Sequence, residues 1–280
     1  MNRFRFLFSL ALTSAFAASA CAARAQEPRF EPLRGRNAAM TKIEPTWMGP
    51  LTHSDARIAQ GVKVSVSNLN YPPGHPLVYG NNHGISMLAA RRFQFDFDPP
   101  SYFRNHSTTE KDGFGNAAVQ AKVRIASGNA EHGNFVVTAI LLHGFGARAI
   151  ENQFFSAYYI PSIAAGKGFK HFAVISTVGG VLPTKNVWEQ GRAVEWNLTG
   201  EAHATKHVWF SVENNTLFFH AGPLDGKTQN EMTPTAFYTV RRKDWGPQHA
   251  ALVFGTGLQT ATSRFHLYNH NLITEMRVIF

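Results

Sequence analysis

Cysteine is all but absent, with Cys21 the single one in 280 residues. Disulfide frameworks are excluded with it, and so are zinc sites built from several thiolates. Charge is scarce too. Asp, Glu, Lys and Arg make up 16% of the chain, against about 25% in an ordinary soluble domain. The balance is basic, +9 overall, but Lys and Arg are scattered and no basic block forms. A nucleic-acid footprint is therefore missing, and nucleic acid is not an expected partner. Beyond the N-terminus no apolar run approaches the ~20 residues of a membrane helix. The longest is Phe135 to Leu142, which excludes a helical inner-membrane protein.

What is present suits an all-β chain. Hydrophobic residues reach 44%, with 23 Phe and 23 Gly. The N-terminus reads as a cleaved signal peptide, residues 1–25. Arg3 and Arg5 form a basic start, Phe6 to Ala20 is uncharged and apolar, and Ala23-Arg24-Ala25 offers an A-x-A cleavage site. Two rivals stand beside it. One is an uncleaved membrane helix, disfavoured by the Ala- and Ser-rich run. The other is lipidation at Cys21, where Ala18-Ser19-Ala20 lacks the usual leucine. Removing Arg3, Arg5 and Arg24 leaves a mature chain of +6 without cysteine.

Residues 26–87 read as an N-terminal periplasmic extension with little regular structure, punctuated by Pro28, Pro32, Pro45 and Pro50. Only Val62 to Val66 alternates there. From Leu88 the pattern changes to period two, broken by Gly, Asn, Asp and Pro clusters. About ten strands follow, near 88–97, 117–127, 134–145, 156–166, 169–181, 191–203, 206–219, 231–241, 248–260 and 268–280. Most exceed the ~5–6 residues common in soluble sheets and match the ~9–11 of a membrane strand. Long and short connections alternate, as in a membrane barrel with short periplasmic turns. An even strand count returns both termini to one side. Adding Val62–Val66 with a partner would make twelve. Pro161 and Pro234 fall within expected strands, where proline removes a ladder donor, and a place at the rim would excuse them.

Alternation divides the residues into two faces. Arg92, Gln94, Asp96, Gln120, Lys122, Arg124, Glu195, Asn197, Glu201, Glu275 and Arg277 fall on the polar face, expected to line a lumen. Phe93, Phe95, Val119, Val123, Trp196, Leu198, Val278 and Phe280 fall on the apolar face, expected to meet outer-membrane lipid. A terminal Phe280 behind an alternating strand matches the signal read by the barrel-assembly machinery. About ten strands would leave a narrow or plugged lumen, between the filled eight-stranded barrels and the open sixteen-stranded porins.

Enzyme readings fare less well. VVTAILLHGFGAR, residues 136–148, has the look of a hydrolase oxyanion loop, but no G-x-S-x-G elbow follows it. His220, Ser263, His266 and His270 gather near expected outer ends, as a barrel hydrolase would need. With 13 histidines in the chain such proximity is ordinary. No catalytic residue, metal ligand or cofactor site is assigned. Gly166-Lys167-Gly168 reads as a turn, too short for a phosphate loop.

Three stretches carry a resemblance: KDGFGNAAVQAKVRIASGNAEHGNFVVTAILL, PSIAAGKGF and HLYNHNLITEMRVIF. They resemble the outer-membrane proteins of the meta-pathway of phenol degradation family, over roughly Phe93 to Phe280. Lys111 to Gly115, Lys122 to Asn129 and Glu131 to Phe135 match the family pattern, and Asn116 replaces its acidic residue. The resemblance implies an outer-membrane barrel passing small aromatic or hydrophobic compounds. The expectation is thus an all-β, antiparallel, up-and-down transmembrane β-barrel of about ten strands, or twelve, acting as a channel or transporter. The rival is a secreted soluble β-sandwich or barrel that binds a small ligand.

Overall fold

The computed structural model describes residues 36–70, 76–80, 83–105, 112–146, 157–185, 187–241 and 251–280. The expected signal segment and Cys21 lie outside these. A short helix, α1 (Arg36–Thr41), and an extended stretch precede the sheet. The strands are β1 (Gly61–Asn70), β2 (Leu77–Tyr79), β3 (Gly84–Ala90), β4 (Phe93–Asp98), β5 (Tyr102–Arg104), β6 (Gly113–Phe114), β7 (Ala118–Gly128), β8 (Phe135–Gly144), β9 (Tyr158–Gly168), β10 (Phe172–Pro183), β11 (Arg192–His203), β12 (Val208–His220), β13 (Thr228–Arg241), β14 (Ala251–Ala261) and β15 (His270–Ile279). A four-residue helix, α2 (Val187–Gln190), links β10 to β11.

Twelve strands pair antiparallel in a ring, in the order β1, β3, β4, β7 and then β8 to β15. The ring closes where β15 pairs back onto β1, from Gly61 opposite Ile279 to Asn70 opposite His270. Gly61 and Ile279 mark one end of the barrel, the near rim. Asn70 and His270 mark the far rim. The count is twelve rather than about ten, for two reasons. Val62–Val66 is the first half of a full strand, β1. The stretch expected as one strand, Leu88–Phe97, is two, because Arg91–Arg92 is a turn joining β3 to β4. The barrel therefore begins at Gly61, not at Leu88.

Period-two sequence places apolar and polar side chains on opposite sheet faces. Val62, Val64 and Val66 of β1, Met87 of β3, Ile163 of β9, Val178 of β10, Val212 of β12 and Leu258 of β14 are exposed on the outside. Ser65, Gln94, Lys122, Thr177, Thr199, Glu213, Thr233 and Gln259 are buried on the inside. This inverts a soluble protein, in which the apolar face is the covered one. The two prolines show how the ladder accommodates a missing donor. Pro234 sits well inside β13, not at the rim, and the β13–β14 pairing skips from Met232–Thr260 to Thr235–Gly257 around it without a change of register. Beside Pro161 the β9–β10 pairing likewise skips from Gly179–Ser162 to Leu182–Tyr159 in an unchanged register.

Near the far rim three strands are interrupted. β2 and β3 are separated by Gly80 to His83, β4 and β5 by Pro99 to Ser101, and β6 and β7 by Gly115 to Ala117. Beyond the breaks, β2, β5 and β6 form a small flap on β1. Gly80 has a φ of +87°, a left-handed conformation that glycine adopts without a Cβ penalty.

Candidate functional site

The lumen is occupied by the chain's own residues 36–60. The base of this excursion is closed by Asn37. Its amide donates to the carbonyls of Gln60 (2.7 Å) and Phe280 (2.5 Å), and its Oδ1 accepts the Gln60 N–H at 2.8 Å. From this clasp the chain rises to an apex at Leu51–Ser54 and returns to Gly61.

Polar wall residues satisfy its backbone, which has no ladder partners of its own. Glu213 of β12 accepts the N–H groups of Leu51 (2.6 Å) and Thr52 (2.9 Å) and the Thr52 hydroxyl (2.6 Å). Lys122 of β7 donates to the carbonyls of Asp55 (2.9 Å) and Arg57 (3.4 Å). Arg277 of β15 donates to Gly49 (3.0 Å) and Pro50 (2.6 Å). Gln94 accepts from Ala59 at 2.6 Å, Gln120 donates to Ser54 at 2.9 Å, and Thr138 donates to Ala56 at 2.5 Å. Arg124 and Glu44 form an ion pair of 2.7 Å, with 5% and 3% of their side chains exposed. Burial pushes the Glu44 carboxyl up, and Arg124 opposes that shift. Asp55 goes the other way. Burial alone would raise it, but Arg57 (2.7 Å) and Lys122 hold it below the usual carboxylate value.

Apolar contacts seat the segment too. Trp47 and Ala56 pack with Val136, Ile140 and Ile175, while Met48 and Leu51 pack with Phe237, Val253 and Ile273. The wall carries glycine where these side chains arrive. A Cβ at Gly166 would stand 2.7 Å from Trp47 Cζ2, one at Gly168 2.8 Å from Trp47 Cε3, and one at Gly257 2.8 Å from Leu51 Cδ2. Gly166-Lys167-Gly168, expected as a turn, is thus the end of strand β9 and a seat for Trp47.

Space remains on three sides. A cavity of about 430 Å³ lies between the apex and the far rim, floored by Thr52, His53 and Ser54 and walled by Asp98, Glu195 and Glu231 among others. Glu231 accepts from Gln229 and Gln259, both at 2.6 Å, and its Oε2 lies 2.7 Å from the Tyr268 hydroxyl. A smaller slot of about 170 Å³ runs beside the segment past Lys63, Asp96 and Arg277. A third cavity, about 290 Å³, opens at the near rim.

The residues expected inside are placed as follows. Gln94, Asp96, Gln120, Lys122, Arg124, Asn197, Glu201 and Glu275 are buried on the inner face, and Arg277 and Glu195 lie there partly covered. Asn197 accepts from Asn215, at 2.9 Å, and Glu275 pairs with Arg277. Arg92 is the exception. It is exposed in the β3–β4 turn, since the chain reverses before the alternation reaches it. On the outer face Phe95 and Trp196 are exposed, and Phe93, Val119, Leu198, Val278 and Phe280 are half-buried. Val123 shares that face opposite Phe93 but is only 5% exposed.

Glu44, Thr52, His53, Glu213, Glu231 and Tyr268 were not legible as site residues. For Glu213 a signal exists, because Ser211, Glu213 and Asn215 are polar at every second position of β12. The hydrolase features resolve into structure. His143, next to the last residue of β8, is stacked on Tyr159 at 4.3 Å. Ser263 donates to the Phe265 carbonyl, and His266 Nδ1 lies 3.3 Å from the Ser263 carbonyl oxygen rather than its hydroxyl.

No protein-family model matches the chain, and no curated protein matches it. Solved structures do. The NanC porin aligns with a TM-score of 0.52 at 8% identity, covering 78% of this chain and 98% of that one. An outer membrane channel from Pseudomonas putida F1 aligns with a TM-score of 0.50 at 11% identity, covering 84% of this chain and 100% of that one. At such identities the likeness is one of fold, the closed antiparallel barrel.

Proposed function

We propose that the protein is an outer-membrane channel whose conductance is set by its own luminal segment. One observation carries this reading: a closed barrel that is apolar outside and polar inside. Exposed Val, Ile, Leu, Met and Phe circle the wall, and a soluble protein rarely exposes so large a contiguous apolar surface. A bilayer removes the cost, and a closed ring leaves no unpaired edge in lipid. The likeness to the NanC porin and to the outer membrane channel supports the reading, as does the expected signal peptide. In this reading Phe280 and β15 present the terminal strand to the assembly machinery.

Small solutes would enter the far cavity and pass beside or in place of residues 36–60. Small aromatic or hydrophobic compounds, as the family resemblance implies, would have a second way out. The far cavity reaches Gly80, Pro99, Ser101 and Asn116, where the wall strands are interrupted, so an apolar solute could leave sideways into lipid.

The test is conductance in planar bilayers. Thr52 and Asn215, whose side-chain oxygens are 2.9 Å apart, are replaced by cysteine in a Cys21→Ser chain. Oxidation should lock the apex and lower conductance, and reduction should restore it. A protein that gives no conductance in either state, even with residues 38–59 replaced by a short Gly-Ser linker, is not a channel.

A further inference from the structure

The far cavity carries charge of one sign. Asp98 of β4, Glu195 of β11 and Glu231 of β13 line it, and among the described residues no lysine or arginine does. The inner-wall cations are engaged elsewhere: Lys122 and Arg277 donate to the luminal segment, and Arg124 pairs with Glu44. Lys63 acts on Asp98 from the neighbouring slot, which it lines, rather than from this cavity. His53, on the floor, has both ring nitrogens engaged, by the Ser54 carbonyl and the Thr199 hydroxyl. The three carboxylates differ in their partners. Glu231 is held by Gln229, Gln259 and Tyr268. Glu195 and Asp98 are half-buried, and among the described residues neither accepts a hydrogen bond or forms an ion pair. Glu195 stands opposite Gly179 in the β10–β11 ladder, and a Cβ there would lie 3.0 Å from its Oε1, so the wall leaves its carboxylate room. Tyr158, another lining residue, feels the charge of both Asp98 and Glu195, so the two carboxylates act on one space.

A second feature is independent of the acids. Gln120 and Asn197 line the cavity, each 6% exposed, and each amide is half-used. Gln120 Nε2 donates to Ser54, while its Oε1 has no partner among the described residues. Asn197 Oδ1 accepts from Asn215, while its Nδ2 has none. Neither free atom is sealed in the wall, and both keep accessible surface. Buried amides are nearly always paired, so these two mark where a polar ligand or water belongs. The two free carboxylates set its charge. In a cleft with low-dielectric walls their field is focused on the space between them and draws in cations.

We propose that the far cavity is a binding site for a small organic ammonium ion. The ammonium N–H groups donate to the free oxygens that Glu195, Asp98 and Gln120 present, and a hydroxyl on the ligand would find its donor in Asn197 Nδ2. Leu142 and Ile160, paired across β8 and β9, and Leu217, paired with Glu195, take the apolar body. The volume of about 430 Å³ suits a small molecule rather than a bare ion. The assignment names the solute class of the conduit above and rests on the channel reading for its purpose, but binding itself is read on the detergent-solubilised protein.

The experiment is calorimetric titration of the full chain with benzylammonium, against benzyl alcohol, benzoate and ammonium chloride. The first three share a body and differ in charge. Benzylammonium should saturate one site and weaken as salt is raised. Glu195→Gln, which keeps the shape and removes the charge, should weaken it roughly tenfold, and adding Asp98→Asn should weaken it further. Glu131→Gln, an exposed carboxylate in the near-rim turn, should change nothing. All variants should keep the gel shift on heating of a folded barrel. Benzyl alcohol or benzoate binding as tightly as benzylammonium would overturn the cationic assignment, and ammonium chloride doing so would reduce the site to a sink for bare cations. Absence of saturable binding, or indifference to Glu195→Gln, would refute the site itself. Binding without conductance in bilayers would keep this site and remove the channel reading; conductance without binding would do the reverse.

Discussion

Glu213→Gln is the sharpest test of the luminal segment as a gate. Glu213 is fully buried, and its two oxygens accept three hydrogen bonds from Leu51 and Thr52 at the apex. Glutamine keeps the shape but offers one oxygen and one NH₂ group. The NH₂ must then face a backbone N–H that still needs an acceptor. At least one charge-assisted bond is lost and one buried donor is stranded, which together cost about 2 kcal/mol. That cost falls on the docked segment alone, since a released segment finds water. The open-to-closed ratio should rise about 30-fold. Single-channel recording reads this ratio directly. Thr233→Val is the control. Thr233 stands opposite Glu213 in the ladder, is buried, and has a hydroxyl without a partner among the described residues. It should leave the ratio unchanged. An unaltered ratio in Glu213→Gln, or an equal rise in Thr233→Val, would refute the reasoning.

Other outcomes follow from the same wall. Arg124→Met should destabilise the barrel by about 3–5 kcal/mol, because it leaves Glu44 buried without its cation, and adding Glu44→Leu should recover most of the loss; urea unfolding in detergent measures both. Val64→Lys places a charge on the outer face and should cost about 2–4 kcal/mol in lipid if that face lies at mid-bilayer, whereas a soluble protein would tolerate it; folding yield into vesicles decides. Acidification should loosen the apex through His53. Its Nε2 lies 2.7 Å from the Thr199 hydroxyl, and burial holds the imidazole below its ordinary 6.5 despite the pull of Glu213 and Asp55. The docked segment then binds fewer protons than the released one, so docking is at full strength above pH 6.5 and weakens as pH falls below it. Glu44, raised by burial, works in the opposite direction. The pH profile of open probability should therefore be compared with that of His53→Gln, which removes the His53 share of the acid-side loss and leaves that of Asp55 at lower pH.

How far the sequence reveals this molecule depends on where each residue finds its partners. In β4, β7, β11 and β15 one strand's own alternation separates the faces, so Gln94, Lys122, Asn197 and Glu275 can be assigned inward without knowing what they meet. The β3–β4 turn defeats the same logic. Leu88 to Phe97 contains no glycine, proline, asparagine or turn dipeptide, and Arg91–Arg92 reverses the chain because β3 and β4 pair across it. A missed turn of this kind flips the expected side of Arg92 and hides a strand. Residues 36–60 are silent for a deeper reason. Beyond α1 the segment bonds to no neighbour at a regular interval; its acceptors and donors are on β3, β4, β7, β8, β11, β12 and β15. No period in its own sequence encodes that. The trace it leaves is on the wall, as inward charges of both signs and as inner-face glycines at 166, 168 and 257. An inward Lys122 or Arg124 in a narrow barrel must find an acceptor, and the chain inside the lumen supplies it, the Asp55 and Arg57 carbonyls for Lys122 and the Glu44 carboxylate for Arg124, without a carboxylate on a facing strand. Unexplained inward charge, taken with glycine at inner positions of long strands, is therefore a sequence-level sign of a filled barrel, and it points to the segment of the chain that has proline and no periodicity as what fills it.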